Sequence, residues 1–408
     1  MSERMMIIGA GEAGAAAAIA LRDGGYVHDI ILAGAEQHAP YERPPLSKQV
    51  LTHEGDVSPP YISVVAKFAE LNIIHVQQAV AEINPAAKMT RCVTGRELTY
   101  SKLLIATGAN PRKLTLPGAE HVVYLRTFSD ALHLRAAFRP GRQVIVIGGG
   151  FIGLECAASA RQRGSNVTVV EAAPRILMRG VPPEIAAFIE ARHRAEGVGF
   201  RIGTGLERIE AEDKKKILIL QDGTRLEADI ILAGIGATPE VALAAAAGLT
   251  LDNGICVNAE LQTSNPDIYA AGDCCSFPHP LYDNRRMRLE AWRNAQDQGR
   301  FVAANMLGGH DIYGAVPWFW SDQYDMHLQV AGMGDGAAQT LSRDMGDDAR
   351  LMFHMATDGR LLAASGVGPI GKIAKDIRLA EMLIAKRAAP DASKLVDPNF
   401  KLKSLLKD

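Results

Sequence analysis

Two glycine-rich segments contain the residues whose types and spacing point most directly to chemistry. In the segment 142–171, Gly148, Gly150 and Gly153 form the pattern GxGxxG directly after the apolar run 144–147. The first glycine permits a tight turn, the second lets the backbone approach a pyrophosphate, and the third lets a helix pack closely on a strand. Free N–H groups at the start of the following helix attract the anion. This segment therefore predicts a dinucleotide site on a βαβ unit.

The end of the same segment indicates which dinucleotide is bound. Residues 166–170 are typical of a second strand, and this strand ends on Glu171, 18 residues beyond Gly153. A carboxylate at this position suits the hydroxyls of an adenosine ribose and repels a 2′-phosphate. We therefore expect NAD(H) and not NADP(H). Arg175 is the opposing feature, since a cation four residues further on can neutralise a 2′-phosphate.

The same glycine pattern occurs near the start of the chain. Gly9, Gly11 and Gly14 follow a short apolar strand and precede an alanine-rich segment that favours a helix. Glu36 lies 22 residues beyond Gly14 and is a candidate for a second ribose, although Ala35 occupies the position where a carboxylate is preferred. Two such units in one chain predict two nucleotides, of which one would be FAD.

Length, composition and charge limit the class of protein. A chain of 408 residues is too long for one ordinary core, so we expect two to three domains. With 48% hydrophobic and 22% charged residues the chain is typical of a globular protein, and its net charge of −2 favours neither nucleic acid nor a membrane surface as a partner. Glu12 interrupts the apolar stretch 1–21, which argues against a signal peptide or a membrane span.

The cysteines argue against a disulfide framework and against a metal site. There are five, an odd number, and none are arranged as CxxC. This usage fits reduced thiols in the cytoplasm. No four-cysteine ligand set exists for an iron–sulfur cluster, so no metal is expected in the chain.

Six further motifs are spread along the chain. They are PYERPPLSK (40–48), LLIATG (103–108), YLRT (124–127), IYAAGD (268–273), RLEAWRNA (288–295), which predicts a helix, and PWFWSDQYD (317–325). Together with the two glycine patterns, they resemble the FAD-dependent, NADH-using ferredoxin reductases of bacterial Rieske-type oxygenases and some haem monooxygenases. Putidaredoxin reductase and rubredoxin reductase are relatives of this family. The resemblance covers nearly the whole chain.

The resemblance implies roles for individual residues. Lys48 would place a positive charge beside the flavin ring and stabilise its anionic reduced form. Glu155 would line the nicotinamide pocket, and Trp320 would lie near the flavin. Beside the first glycine motif, the implied FAD contacts are Ala13, Glu36, Arg43, Lys48, Val80, Ala106, Gly108, Arg126, Asp273, Glu290, Ala291 and Trp292. Beside the second glycine motif and Glu171, the implied NAD contacts are Ile152, Glu155 and Gly236.

Structural explanations remain open for several of these residues. The position of Arg126 is equally consistent with an arginine that caps a helix or lies on the surface. The position of Glu155 is equally consistent with an acid whose only role is to pair with a neighbouring base. Asp273 also fits a plain turn, while the aromatic cluster 317–325 is equally typical of a hydrophobic core. Trp292 stands where many relatives have a smaller residue, which leaves its contact open.

The resemblance implies an α/β fold of the glutathione-reductase-like flavoprotein type, with two doubly wound dinucleotide-binding domains and a C-terminal α+β domain. We expect a first FAD-binding segment at 1–109, the NAD-binding domain at 110–238, a second FAD-binding segment at 239–316 and the C-terminal domain at 317–408. NADH would deliver a hydride to FAD, and electrons would pass singly to a [2Fe–2S] ferredoxin or rubredoxin that serves a terminal oxygenase.

A basic cluster suggests where such a ferredoxin docks. Arg285, Arg286, Arg288 and Arg293 fall within nine residues, and two lysines, Lys372 and Lys375, can join them. Ferredoxins of this class are acidic, so a positive rim near the flavin would steer and orient the partner. The alternative is a solvated basic face with no partner.

Two other functions remain open at this point. A flavin disulfide reductase, or a cysteine-dependent NADH oxidase or peroxidase, needs a redox cysteine near the flavin, and the span from Gly34 to His75 contains none. A non-enzymatic protein of the apoptosis-inducing-factor type, in which redox state controls partner binding, has similar architecture. Slow turnover with every ferredoxin would favour that second alternative.

Overall fold

The computed structural model describes residues 3–62, 67–212 and 215–406 of the chain. The chain divides into two compact units. Unit 1 comprises Met1–Arg43, Ser58–Asn110 and Thr238–Pro317. Unit 2 comprises Pro44–Val57, Pro111–Ala237 and Trp318–Asp408.

The elements within the described residues are as follows. The helices are α1 (Glu12–Asp23), α2 (Gln49–Thr52), α3 (Phe128–Ala137), α4 (Phe151–Gln162), α5 (Pro183–Ala195), α6 (Ala242–Ala246), α7 (Trp292–Met306), α8 (Ala374–Ala385) and α9 (Ala392–Val396). The strands are β1 (Met5–Ile8), β2 (Ile30–Ala33), β3 (Ile73–Val76), β4 (Val80–Asn84), β5 (Met89–Cys92), β6 (Glu97–Thr99), β7 (Lys102–Ile105), β8 (Ala109–Pro111), β9 (Val122–Val123), β10 (Gln143–Ile147), β11 (Asn166–Glu171), β12 (Gly199–Ile202), β13 (Leu206–Glu212), β14 (Lys215–Leu220), β15 (Arg225–Ala228), β16 (Ile230–Ala233), β17 (Ala237–Pro239), β18 (Ile255–Cys256), β19 (Ile268–Ala270), β20 (Cys275–His279), β21 (Arg285–Met287), β22 (Trp318–Gln323), β23 (Met326–Gly332), β24 (Gln339–Arg343), β25 (Arg350–Met355) and β26 (Leu361–Pro369).

Unit 1 is built on a five-stranded parallel sheet in the order β19-β7-β1-β2-β3. The strands β1 and β2 are short apolar runs that are buried throughout, as expected where helices cover both faces of a parallel sheet. Helix α1 packs closely on α7. The absence of a side chain at Gly299 allows this contact, since a Cβ there would lie only 2.3 Å from the carbonyl oxygen of Ala13. Two smaller sheets, β4-β5-β6 and β18-β20-β21, complete the unit.

The strand order of this sheet creates a ligand crevice. From β1 the chain continues to β2 and β3 on one side, whereas β7 pairs with β1 on the other side. The carboxyl ends of β1 and β7 therefore flank a topological switch point, where ligands bind in open α/β sheets.

The first part of unit 2 repeats this plan. Its parallel sheet has the order β12-β11-β10-β16-β9, so the switch point lies between β10 and β16. An antiparallel sheet, β13-β14-β15, adds Leu218 and Leu220 to the same core cluster as Ile145 and Ile147. This burial of apolar side chains fixes the strands that support the second glycine motif.

The last part of unit 2 is a five-stranded antiparallel sheet in the order β22-β23-β26-β25-β24, with α8 packed against β23 and β26. The buried guanidinium of Arg343 donates to the carbonyls of Leu395, Pro398 and Phe400, and so fastens the C-terminal segment. The predicted fold class is confirmed: two doubly wound parallel sheets and an α+β C-terminal portion. Over the described ranges, none of the helices combines the length and the apolar character needed to cross a membrane.

Candidate dinucleotide and redox sites

The glycine turn after β1 has the geometry of a pyrophosphate cradle. Gly9 has a φ of 113°, and a Cβ there would lie 2.0 Å from the carbonyl oxygen of Ala106. A Cβ at Gly14 would lie 1.9 Å from the carbonyl oxygen of Gly9. Gly11, by contrast, is the N-cap of α1, and a Cβ built on it would have no neighbouring atom within 4 Å. The fold therefore requires the first and third glycines, and the second leaves room for a ligand at a helix N-terminus.

The turn after β10 has the same geometry in unit 2. Gly148 has a φ of 100°, and a Cβ there would lie 2.5 Å from the carbonyl oxygen of Gly234. A Cβ at Gly153 would lie 2.2 Å from the carbonyl oxygen of Gly148, whereas one at Gly150 has its nearest neighbour at 3.8 Å. Beside this space, the Ile152 side chain in the first turn of α4 is 47% exposed, and Gly236 has a φ of 109° with open space around it. The residues of this turn fit a second dinucleotide.

Glu171 is fixed at the carboxyl end of β11 by the backbone. Its Oε2 accepts a hydrogen bond of 2.7 Å from Gly149 N–H, and its Oε1 accepts one of 2.7 Å from Ala173 N–H. Arg175, the feature that opposed the NADH prediction, donates to four backbone carbonyls instead of facing Glu171. These belong to Ile176, Leu177, Met178 and Val181. The hydrogen bonds of the Arg175 guanidinium are thus made to the backbone of the following loop, which they stabilise.

Glu36 and Arg43, both implied FAD contacts, are brought together in unit 1. They form an ion pair, and the hydroxyl of Tyr41 also donates to the Glu36 carboxylate. The Arg43 guanidinium lies 4.6 Å from the centre of the Tyr41 ring, a cation–π contact. The negative charge of Glu36, which follows the end of β2, is therefore balanced by Arg43.

Asp273 lies just past the end of β19, close to α1. Its carbonyl accepts from Arg288 at 3.2 Å, and the preceding Gly272 donates its N–H to Gln298 Oε1 at 2.7 Å. A Cβ at Gly272 would lie 3.1 Å from the Cβ of Ala13. Unit 1 thus brings the first glycine turn, Ala13, Ala106 and Asp273 to one edge of its parallel sheet.

Helix α7 begins later than predicted. The sequence predicted a helix over 288–295, but α7 begins at Trp292, with Ala291 as its extended N-cap (φ −143°, ψ 138°). Strand β21 ends at Met287, so the intervening residues form a connection. Glu290 and Ala291 therefore precede the helix, and Trp292 lies in its first turn.

The remaining implied FAD contacts occupy separate elements. Val80 is the first residue of β4 and pairs with Cys92. Gly108 has a φ of 75°, and its carbonyl accepts from the N–H of Glu240. Arg126 belongs to unit 2, where its N–H donates to Asp130 Oδ2 at 3.1 Å beside the capping box of α3.

A buried ion pair between Lys48 and Glu155 is the most unusual feature of unit 2. Lys48 Nζ lies 2.9 Å from Glu155 Oε2, and their side chains are only 13% and 3% exposed. Ser47 Oγ donates to Oε2 at 2.5 Å, and Ser321 Oγ donates to Oε1 at 2.7 Å. Because both carboxylate oxygens are hydrogen-bonded, the cost of burying the charges is offset.

A chain of hydrogen bonds extends from this pair into the core. Gln323 Nε2 donates to Ser321 Oγ at 3.0 Å, and Gln323 Oε1 lies 2.7 Å from His193 Nε2. The hydroxyl of Tyr324 lies 3.3 Å from His193 Nδ1. Burial lowers the pKa of His193 to about 4, so the ring is neutral at pH 7. Sequence reasoning missed Ser47, Ser321, Gln323 and His193, although three of the four lie inside or beside motifs that it quoted.

Trp320 lies in the same unit as this pair. Its indole N–H donates to Asp322 Oδ2 at 3.1 Å, and its ring stacks on Trp318 with centroids 5.4 Å apart. Burial disfavours the ionised form of Asp322, but the hydrogen bond and charge of His327, with the charge of Lys48, outweigh it and hold the pKa below its usual range. The aromatic cluster is therefore linked to charged groups and is not purely apolar.

The four arginines of the predicted docking cluster do not form one solvated face. The Arg288 side chain is only 10% exposed and pairs with Glu290 at 2.5 Å. Arg286 donates to the carbonyls of Ser276 and Val257, and Arg293 lies 3.6 Å from Asp297. Arg285 is exposed. In unit 2, Lys372 pairs with Asp348, and Lys375 is exposed on α8.

The cysteines are placed unfavourably for thiol chemistry. All five are free, and Cys92, Cys156, Cys274 and Cys275 are buried. Burial raises the pKa of each of these four thiols, which disfavours the reactive thiolate. These four thiols therefore lack the activation that redox-active cysteines need.

The two nucleotide cradles and the C-terminal sheet define a pyridine-nucleotide-dependent flavoprotein. Residues 3–299 match the pyridine nucleotide-disulphide oxidoreductase family, and residues 318–406 match the reductase C-terminal family. The chain belongs to the pyridine nucleotide-disulphide oxidoreductase family. It carries the reductase C-terminal domain, and its cofactors are FAD and NAD(H).

Individual relatives match over almost their entire length. The ferredoxin–NAD(+) reductase component of the anthranilate 1,2-dioxygenase system of Burkholderia cepacia is 39% identical over 99% of this chain and 100% of its own length. The ferredoxin reductase for the CYP199A2 system from Rhodopseudomonas palustris superimposes with a TM-score of 0.93 at 36% identity, over 99% of both chains. The reductase in a covalent putidaredoxin reductase–putidaredoxin complex has a TM-score of 0.93 at 34% identity, over 99% of this chain and 98% of the other.

Proposed function

We propose that this chain is the ferredoxin reductase component of a multicomponent oxygenase, which takes a hydride from NADH and passes electrons singly to a [2Fe–2S] ferredoxin or rubredoxin. The named relatives support this proposal, since they are reductase components of oxygenase systems and one was solved bound to putidaredoxin. In the chain itself, the main support for this proposal is the buried Lys48–Glu155 ion pair. Its ammonium group could stabilise the negative charge of a reduced flavin, and its carboxylate balances that ammonium.

FAD would be held by unit 1 and NAD by the parallel-sheet portion of unit 2. The first cradle offers the open space at Gly11, and the acid–arginine pair of Glu36 and Arg43 would serve the adenosine end. The second cradle offers the open space at Gly150, with Glu171 for the ribose. We propose FAD-binding segments at 1–109 and 239–316, an NAD-binding domain at 110–238 and a C-terminal domain at 317–408. The match of the reductase C-terminal family from residue 318 supports the last boundary.

When bound, FAD converts a two-electron hydride transfer into single-electron steps. The chain supplies orientation and electrostatics for this conversion. Lys48 provides a positive charge that can stabilise an anion, and Glu155 compensates this charge when no anion is present. Ser47 and Ser321 keep the Glu155 carboxylate in one orientation, so the position of the ammonium group is also fixed. We propose Lys48, Glu155 and Trp320 as the residues closest to the chemistry.

A disulfide reductase is disfavoured despite the name of the family. Such an enzyme needs a reactive cysteine near the flavin, and residues 34–75 contain none. The buried, unactivated thiols elsewhere cannot replace it. The same five free cysteines support a cytoplasmic location, which we also propose.

A comparison of acceptors tests the proposal. The purified, FAD-loaded protein is supplied with NADH and, in separate assays, a [2Fe–2S] ferredoxin, glutathione disulfide or air alone. We expect rapid reduction of the ferredoxin and negligible reduction of the disulfide. Efficient disulfide reduction, or NADH oxidation by air at the ferredoxin rate, would contradict the proposal.

A further inference from the structure

Strand β22 carries two buried polar side chains, Ser321 and Gln323, whose exposed fractions are 1% and 3%. They lie two residues apart, so both belong to the same face of the strand. The Ser321 hydroxyl lies 2.7 Å from Glu155 Oε1 and 3.0 Å from Gln323 Nε2. Gln323 Oε1 lies 2.7 Å from Nε2 of His193, a fully buried ring on α5. These groups form a continuous buried chain that ends on the carboxylate of the Lys48–Glu155 pair.

The available protons allow only one direction for this chain. The Glu155 carboxylate can only accept, so the single hydroxyl proton of Ser321 lies toward Oε1. Ser321 Oγ then accepts from the Gln323 amide, which leaves Gln323 Oε1 to accept from His193 Nε2–H. Burial lowers the pKa of His193 to about 4, so the ring is neutral at pH 7 and its Nδ1 accepts from the Tyr324 hydroxyl at 3.3 Å. Every donor in the chain therefore points toward Glu155.

Helix α5 fixes the far end of the chain. Tyr324 lies in the two-residue connection between β22 and β23 with a φ of 58°, a conformation that tyrosine rarely adopts. Its ring packs edge-on against His193 with centroids 5.0 Å apart, and the Arg192 guanidinium lies 5.3 Å from its centre. Arg192 also pairs with Asp325 at 3.0 Å. These contacts hold the end of β22, and with it Gln323, in one position despite the cost of the backbone conformation.

The direction of the chain decides how the negative charge of Glu155 is shared. The carboxylate accepts from Ser321 at Oε1 and from Ser47 and Lys48 at Oε2. A hydrogen bond polarised by the donors behind it is stronger than an isolated one. If the Ser321 proton turned away, only Ser47 and Lys48 would balance the charge. The carboxylate would then hold the ammonium group more tightly.

We propose that Gln323 and His193 are positioning residues for the flavin chemistry. Through Ser321 they keep a hydrogen bond on Glu155, and this bond leaves Lys48 available to stabilise negative charge on the flavin. The inference rests on the proposed function, in which Lys48 lies beside the flavin. It explains why a core strand carries a serine and a glutamine that both donate toward one carboxylate.

The midpoint potential of the flavin reports this role without turnover. It is measured anaerobically in the FAD-loaded protein by equilibration with a dye of known potential. We expect Gln323→Met, which fills the space of the amide but donates no hydrogen bond, to lower the potential, because Lys48 then stabilises the reduced flavin less. The equilibrium constant for reduction should fall roughly three- to tenfold, the effect of one ordinary hydrogen bond. His193→Phe should act in the same direction, whereas His193→Gln, which keeps an N–H donor, should keep the natural potential.

Combined variants show whether the effect passes along the chain. Ser321→Ala should also lower the potential, and adding Gln323→Met to it should change nothing more, since both remove the same hydrogen bond. Gln323→Met should likewise have no effect in the double variant Lys48→Met with Glu155→Gln, which lacks both charges. The control is Ser365→Ala, which removes a similarly buried hydroxyl of the same sheet that lies 3.2 Å from a histidine. This control should leave the potential unchanged.

Three results would each overturn the assignment: an unchanged or raised potential in Gln323→Met, shifts that add when it is combined with Ser321→Ala, or an equal shift without Lys48 and Glu155. If Gln323→Met fails to fold, the two His193 variants decide, and a natural potential in His193→Phe would overturn it. In all these cases the natural protein still binds and reduces FAD, so the proposed function would stand. A natural protein that binds no FAD, or whose reduced flavin passes no electrons to ferredoxin, would instead contradict the proposed function.

Discussion

Lys48 Nζ and Glu155 Oε2 lie 2.9 Å apart in a setting that is almost closed to solvent. Lys48 comes from the short segment 44–57 of unit 2, and Glu155 comes from α4, the helix that begins at the second glycine cradle. The pair therefore joins Lys48, the residue proposed to place a charge beside the flavin, to the helix that follows the proposed NAD-binding turn. Ser321, 166 residues beyond Glu155, donates to the same carboxylate and adds β22 to the arrangement.

This pair should be strongly coupled energetically. Glu155→Gln leaves the Lys48 ammonium buried without its counter-charge, so we expect a loss of about 3 to 5 kcal/mol in the free energy of unfolding. The double variant Lys48→Met with Glu155→Gln should recover much of that loss. Denaturant unfolding of the four proteins in this cycle measures the coupling. Glu212→Gln, in an exposed pair with Arg225, is the control and should cost no more than about 1 kcal/mol.

Coenzyme choice should depend on Glu171. Glu171→Gln removes the charge that repels a 2′-phosphate, so we expect the preference for NADH over NADPH to fall by about 1 to 3 kcal/mol, measured as the ratio of the two kcat/KM values. Arg175→Ala should leave this ratio unchanged and lower only stability, because the arginine is bound to backbone carbonyls. A natural protein that uses both coenzymes equally would contradict the role of Glu171.

Most of the fold could be predicted because it depends on local patterns. The apolar run before each GxGxxG turn and the helix after it appear where the sequence predicted them, as β1 with α1 and β10 with α4. The glycines are recognisable because their close approaches are to backbone atoms, which any sequence provides. The predicted helix over 288–295 started too early because residues 288–291 form the connection that follows β21, in which Arg288 donates to the Asp273 carbonyl and Ala291 is extended.

The site could be predicted only in part because side-chain partners come from distant segments. Lys48 and Glu155 were found by family resemblance, but nothing local indicated that they pair with each other. Ser321, Gln323 and His193 form a network across α5 and β22, and no periodicity reports such contacts. Likewise, Arg288 was predicted to belong to a basic rim that docks a ferredoxin, although its side chain is largely buried.

His193 should make stability depend on pH. Its pKa is about 4 in the folded protein and about 6.5 when unfolded, so the unfolded chain binds more protons between these values and stability falls as pH drops through that window. His193→Gln should remove about 2 kcal/mol of the loss between about pH 7 and 5, measured by denaturant unfolding. His28→Gln, at a side chain 48% exposed, should change nothing. An unchanged slope in His193→Gln would show that the network does not hold a neutral ring.

Ferredoxin docking should depend on ionic strength. If the exposed Arg285 and Arg286 steer an acidic partner, salt should slow ferredoxin reduction at low ferredoxin concentration, since screening acts over about 10 Å at 0.1 M salt. Arg285→Glu should slow it further, and reduction of a neutral quinone should barely respond. Arg96→Glu, an equal charge change at an exposed turn of the small β4-β5-β6 sheet, is the control. Identical salt curves for ferredoxin and quinone would place docking elsewhere.

The stoichiometry of a single turnover tests the central claim most directly. The FAD-loaded protein is mixed anaerobically with one equivalent of NADH and an excess of oxidised [2Fe–2S] ferredoxin, while flavin and ferredoxin absorbance are recorded together. We predict that flavin absorbance is lost first and that about two equivalents of ferredoxin are then reduced per NADH, as the flavin returns to its oxidised form. Flavin that NADH reduces but that passes no electrons to any ferredoxin would contradict the account.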